Sequence, residues 1–226
     1  MKILFFDIDG TLIDSGGAGR LAMETALRSE FGITVSNGSV PYAGRTDSAI
    51  ISDLLEAHDQ EASIENVQRF LTAYLGHLPI CLTRRRGQAL PGVHTLLAAL
   101  HGRPDVLLGL LTGNVEEGAA NKLNHYGLNH YFQCGGFADN LFDRNDVAQV
   151  ARIRAERHLG RPIDETITPW VIGDTPHDVT CGRAIGARVL AVATGMHSVA
   201  QLATAEPDHV VSDLTDTQRV LSLWAN

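Results

Sequence analysis

The sequence predicts an α/β fold: a parallel sheet covered by helices on both faces, with an all-helical insertion after the first strand. Three observations predict it. Short apolar runs recur at Ile3–Phe6, Val106–Leu111, Val171–Ile172 and Val189–Val192, with a weaker one at His209–Val211. Helical patterns lie between them at Val93–Leu100, Val115–Tyr126 and Val147–His158, and such alternation builds parallel pairs joined by crossover helices. From about Ser15 to Arg86 the rhythm breaks, leaving only the amphipathic stretches Arg20–Phe31, Ser48–His58 and Ile64–Leu78.

The first run, Ile3–Phe6, is apolar throughout, as a strand buried on both faces requires. It ends in Asp7 and Asp9, one residue apart, with Gly10 as the break. Open α/β sheets place ligands at the carboxyl ends of their strands. Two acids there are costly unless a cation or proton shares the site. A divalent metal removes that cost, and one Asp could then ligate it while attacking phosphorus. The plainer reading is an Asp-Gly turn that closes a strand. The helical insertion returns through Thr83–Gly87 and a Leu90-Pro91-Gly92 turn. The expected division is therefore a core of residues 1–14 and 87–226 and a helical domain of residues 15–86.

After Val106–Leu111 comes Thr112-Gly113-Asn114, where Asn114 and Glu117 have the spacing of a capping box. A helix N-terminus beside this loop would offer free N–H groups and a favourable dipole to an anion. Thr112 would add a hydroxyl donor, although a Thr-Gly turn with an Asn cap needs no anion at all. After Val171–Ile172 comes Gly173-Asp174, which puts a third acid on the same sheet edge. Thr175-Pro176-His177-Asp178 reads as a helix start, with Asp178 at the capping-box position.

Composition narrows the function. A net charge of −8 argues against nucleic acid as a partner, because phosphate backbones need clustered cation. Cys81, Cys134 and Cys181 are odd in number and form no Cys-x-x-Cys pair, which disfavours a disulfide framework or a zinc knuckle. The ten histidines show no ligand spacing. No apolar stretch approaches the ~20 residues of a membrane helix, and the run before Asp7 is too short for a signal peptide. No membrane partner is expected, and the cytoplasm is the expected compartment; oligomeric state is not legible.

Taken together, Asp7-Ile8-Asp9-Gly10-Thr11-Leu12, Leu110–Asn114 and Gly173-Asp174-Thr175-Pro176-His177-Asp178 resemble three of the four motifs of the haloacid dehalogenase-like hydrolase superfamily, in the right order. The resemblance implies a three-layer, Rossmann-like core with an α-helical cap inserted after the first strand, hinged near residues 14–17 and 83–92. It implies that Asp7 is a nucleophile forming an aspartyl-phosphate. Asp9 would protonate the leaving oxygen and then activate water, while its backbone carbonyl ligates the metal. The family's dehalogenases lack this second Asp. Asp7, Asp9 and Asp174 would hold Mg²⁺, which suits hard oxygen donors better than zinc does. Gly10, Thr112, Gly113 and Asn114 would bind the phosphate, and Arg45, in Gly44-Arg45-Thr46-Asp47 on the cap, would meet the rest of the substrate.

The departure is the third motif, normally a Lys between the second and the fourth. The chain has two lysines, Lys2 and Lys122. Lys122 lies about eight residues into a helix starting at Asn114, some ~12 Å from its end, which argues against contact with a phosphate held there. Arg144 in Phe142-Asp143-Arg144-Asn145-Asp146 is the candidate replacement, as in phosphoglycolate-phosphatase-like members that carry Arg here; the bland reading is a solvated Arg in a charged loop. Asp178 would steady a metal-bound water or Arg144 while capping its helix. Arg84, Arg85 and Arg86 read as a solvated charge run, and Gly16-Gly17-Ala18-Gly19 lacks the ending of a phosphate loop.

The implied activity is Mg²⁺-dependent hydrolysis of a small phosphate monoester, with phosphoglycolate the first to try. The alternatives are a phosphomutase on the same core and a non-catalytic module phosphorylated on Asp. A Schiff-base phosphonatase would need a Lys in the insertion, and residues 15–86 have none.

Overall fold

In the computed structural model, which describes residues 1–34 and 40–224, six parallel strands carry the core. Residues 35–39, part of the expected helical domain, lie outside the described residues. The elements in chain order are β1 (Lys2–Phe6), β2 (Ile13–Asp14), α1 (Ala18–Phe31), α2 (Asp47–Glu56), α3 (Ile64–Arg84), β3 (Gln88–Ala89) and α4 (Val93–Leu100). They continue with β4 (Val106–Leu111), α5 (Glu116–His125), β5 (Cys134–Gly136), α6 (Arg144–Leu159), β6 (Thr168–Gly173), α7 (Pro176–Ala184), β7 (Arg188–Val192), α8 (Val199–Ala203), β8 (His209–Val211) and α9 (Thr217–Leu223). The sheet order is β5-β4-β1-β6-β7-β8. Phe6 stands opposite Leu110 of β4 on one side and Ile172 of β6 on the other, so three strands end level at the sheet centre.

Alternation along the strands explains the three layers. Leu4 and Phe6 pack with Leu108, Leu110, Trp170 and Leu190 on the face covered by α4, α5 and α9. Ile3 and Phe5 pack with Leu107, Leu111, Val171 and Val189 on the face covered by α6 and α7. Continuous apolar strands are the consequence of covering both faces.

Helices α1–α3 have an apolar cluster of their own, including Met23, Leu27, Ile51, Leu54, Phe70, Tyr74 and Leu78. The two crossings to the core are held side by side where β2 pairs antiparallel with β3, Ile13 opposite Ala89. That ribbon has no sequence signal, being two residues per strand. β5, three residues of which two are glycine, carries no sequence signal either. Helix α3 also runs past the expected stop at Leu78, through Pro79 to Arg84. A Pro inside a helix costs ~3 kcal/mol; burial of Cys81 and Leu82 against the same cluster offsets it.

Candidate active site

The carboxyl ends of β1, β4 and β6 deliver Asp7, Thr112 and Asp174 into one crevice, all of them buried. The Asp7 N–H continues the ladder to the Ile172 carbonyl at 2.9 Å, which fixes the direction in which the Asp7 side chain leaves the sheet. Gly10 then turns the chain at φ +82°, a left-handed conformation that suits glycine, and donates its N–H to the Ile13 carbonyl at 2.8 Å. A Cβ on Gly10 would collide with the Asp174 carboxylate, and so would one on Gly195 in the loop after β7. Asp174 is thus held between two glycines, and Thr11 Oγ1 donates to its Oδ1 at 3.2 Å.

Asp7, Asp174 and Asp178 each offer a carboxylate oxygen within 4.8 Å of the others. Arg144, the first residue of α6, reaches this group from the far side: its Nη2 lies 3.6 Å from Asp7 Oδ2 and bonds Asp178 Oδ1. Among the described residues Arg144 Nε is buried with no partner, so one strong donor is still unused. Asp178 is fully buried and also accepts the Thr175 N–H at 2.9 Å and the Thr175 hydroxyl at 2.7 Å, completing the capping box expected for α7. It therefore does two jobs: it caps a helix and anchors Arg144.

The electrostatics of this cluster ask for a cation. Burial pushes the carboxyls of Asp7 and Asp174 well up from the ordinary carboxylate range; Arg144 pulls that of Asp7 down, and neighbouring acids push both up again. Burial opposes the Arg144 charge as well, but Asp178 and Asp7 more than restore it. Three carboxylates against one guanidinium leave two negative charges, the charge of one divalent ion. The donors are hard oxygens, so the residues fit Mg²⁺. Asp7 and Asp174 would hold it, with Asp178 close by, and bound there it would supply positive charge to an incoming phosphoryl group.

Asp9 belongs to a second compartment. Its Oδ2 accepts from Lys122 Nζ at 2.6 Å and from Asn114 Nδ2 at 2.9 Å. Asn114 closes the triangle, accepting from Lys122 Nζ at 2.6 Å and donating to Thr112 Oγ1 at 2.7 Å. The placement of Lys122 corrects the sequence-based expectation. The helix starts at Glu116, so Lys122 is six residues in, or ~9 Å along the axis. Helical side chains slant back toward the N-terminus, and four methylenes cover the rest. Burial opposes its charge, and Asp9 and Asp47 outweigh that, so Lys122 stays protonated. The signal was present: Lys122 shares the buried face of α5 with Gly118, Ala119 and Leu123.

A second correction concerns the N-terminus of α5. The expected Asn114–Glu117 capping box does not form; Val115 is the N-cap residue and makes no side-chain cap bond. Asn114 is occupied by Asp9 and Lys122. The N–H groups of Val115 and Glu116 go instead to carboxylates from elsewhere, Asp47 Oδ2 at 3.0 Å and Asp139 Oδ2 at 2.9 Å. Gly113 lies so close to the insertion that a Cβ there would overlap the Arg45 carbonyl. Arg45 itself lines the cavity with its Nη1 2.5 Å from Asp53 Oδ2, so its charge is paired within α2 and its flank. The crevice opens into a cavity of about 460 Å³ between core and helical insertion, lined also by Met23, Tyr42 and Tyr74.

A family model for haloacid dehalogenase-like hydrolases matches residues 4–183. The chain is 27% identical over 221 residues to "Probable phosphatase IndB" of Dickeya dadantii, covering 95% of this chain and 90% of that one. It is 25% identical over 220 residues to a phosphoglycolate phosphatase of Vibrio cholerae, covering 95% and 94%. Among solved structures, a hydrolase from Pseudomonas syringae shares the fold with a TM-score of 0.75 at 22% identity, over 100% of both chains.

Proposed function

The chain belongs to the haloacid dehalogenase-like hydrolase family, and from that premise we propose that it is a Mg²⁺-dependent phosphatase working through an aspartyl-phosphate on Asp7. One observation carries the reading: the two carboxylates of the first motif are held in separate electrostatic compartments. Asp7 lies in the acid cluster beside Arg144, whereas Asp9 is gripped by Lys122 and Asn114. A nucleophile and an acid–base group need different surroundings, and here they have them.

In this scheme Asp7 attacks phosphorus and Arg144 stays on the charge that moves from carboxylate to phosphoryl oxygens. Its unpartnered Nε–H is placed to donate to one such oxygen. Asp9, at the open side of the site with its side chain 42% exposed, gives a proton to the departing alkoxide and takes one from water as Asp7 is released. Thr112 and Gly113 present the loop that holds the phosphate, while Asn114 is kept for Asp9 and the first N–H groups at the helix end are taken by Asp47 and Asp139. The helical insertion roofs the cavity as a cap, with Arg45 on its inner wall, and the β2–β3 ribbon marks its hinge. The substrate is a small soluble phosphate monoester. Phosphoglycolate is the first to test because the Vibrio cholerae relative is named for it.

The experiment is phosphate release from a panel of monoesters with Mg²⁺ present, wild type beside Asp7→Asn. Many turnovers by the wild type are expected, with Asp7→Asn folded and at least ~10³-fold slower, a barrier change of ~4 kcal/mol. An Asp7→Asn enzyme within ~10-fold of wild type (~1.4 kcal/mol) removes Asp7 from this role. Transfer of the phosphoryl group to a sugar phosphate in preference to water would identify a mutase instead.

A further inference from the structure

We propose that Asp47, in the helical insertion, is a positioning residue that couples docking of the insertion to the placement of Asp9. The proposal rests on the phosphatase reading above.

Asp47 grips the peptide on both sides of Asn114. Its backbone N–H donates to the Gly113 carbonyl at 2.7 Å, and its Oδ2 accepts the Val115 N–H at 3.0 Å. The Asn114 carbonyl is fixed from a third direction by the Ala138 N–H at 2.9 Å, and the Ala138 carbonyl accepts the Ser48 hydroxyl at 2.8 Å. Thr46 Oγ1 reaches the Phe142 carbonyl at 3.3 Å. Three successive residues of the insertion therefore bond to core backbone, and two of those contacts bracket Asn114. Among the described residues the side chain of Asn114 bonds to Asp9, Thr112 and Lys122 alone.

Val115, the N-cap residue of α5, has no side-chain oxygen, and the insertion supplies a carboxylate to this helix end. Asp47 can do so because it opens α2, where Thr46 accepts the Ala49 N–H at 3.2 Å and sets the first turn. It is buried with Thr46 and Ser48, so the contact is a packed one. When the insertion is docked, the loop Gly113–Val115 has its acceptor and donor satisfied and Asn114 holds Asp9. When it is away, a Val115 N–H and a Gly113 carbonyl lose their partners, and nothing from the insertion fixes the Asn114 peptide.

The test compares Asp47→Ala, Asp47→Asn and Ser48→Ala with wild type, using steady-state phosphate release and amide exchange of the peptide spanning Gly113–Ala119. Loss of a side-chain acceptor at a helix N-terminus costs about a factor of five, so Asp47→Ala should lower kcat by at least about fivefold while KM changes little. Asp47→Asn keeps an oxygen for Val115 and should restore kcat to within about threefold of wild type, less than ~0.7 kcal/mol. Exchange at Val115 should quicken in Asp47→Ala and not in Asp47→Asn. Ser48→Ala should move both readouts in the same direction and by less, and it carries the test if Asp47→Ala does not fold. An Asp47→Ala protein with wild-type exchange at Val115 overturns the proposal, as does one whose loss lies in KM alone. Should the wild type release no phosphate from any monoester, the phosphatase reading fails. Exchange at Val115 still decides whether Asp47 pins the loop.

Discussion

Lys122 and Arg144 hold different carboxylates of the crevice. Arg144 is bound to the acid cluster, 3.6 Å from Asp7, while Lys122 holds Asp9 at 2.6 Å. A guanidinium suits the first position because its fork can serve Asp178, Asp7 and an incoming oxygen together. An ammonium suits the second, where two acceptors, Asp9 and Asn114, lie on one point charge. Both substitutions to Ala should therefore be costly. Hydrogen bonds to charged groups contribute ~1.5–3 kcal/mol, so Lys122→Ala should cut kcat/KM by about 10- to 100-fold and Arg144→Ala by more. Arg144→Lys should recover part of the loss. Steady-state kinetics decides: a healthy Lys122→Ala enzyme would confine the electrostatics to Arg144.

At the scale of elements, the helical insertion is stabilised by its own apolar cluster, with α1 and α3 packed along each other. Leu54 of α2 is fully buried in that cluster. Leu54→Ala should cost ~2–5 kcal/mol through lost transfer energy and the cavity left behind. If residues 15–86 are a separate unit, the loss should fall there first. Amide exchange should then rise in α1–α3 while β1, β4 and β6 keep their protection. Equal loss of protection in insertion and sheet would join the two into one cooperative unit.

At the scale of the molecule, the acid cluster ties stability to pH and metal. Asp7 and Asp174 have folded-state pKa values raised by burial, and Asp47 is pushed up to about 6, again by burial first. A raised carboxyl means that the folded protein binds more protons than the unfolded chain above pH ~3.9, the ordinary Asp value. Stability of the metal-free protein should accordingly fall as pH rises from that value into the neutral range. A divalent cation bound at the acid cluster would replace those protons. Thermal unfolding in chelator should show Tm dropping from mildly acidic to mildly alkaline pH, and Mg²⁺ should raise Tm more at the alkaline end. A flat or rising Tm in chelator would contradict the electrostatics of Asp7 and Asp174.

What the sequence by itself determined follows from local chemistry. Apolar runs that end in Asp7, Thr112 and Asp174 read as buried strands delivering polar groups to one edge, because period, length and break are all local properties. The helices of the insertion were legible for the same reason, as was the Thr175–Asp178 cap. Tertiary structure alone decided the partners. Lys122 looked remote because axial distance along a helix ignores how a long side chain slants back. Asn114 looked like a helix cap because a sequence cannot show that its amide is committed to Asp9. Asp47, 66 residues upstream of Gly113 in the chain, reaches that loop only because two separately packed groups of helices and strands dock. Pairing between distant charged groups depends on which surfaces meet, and no local pattern records that.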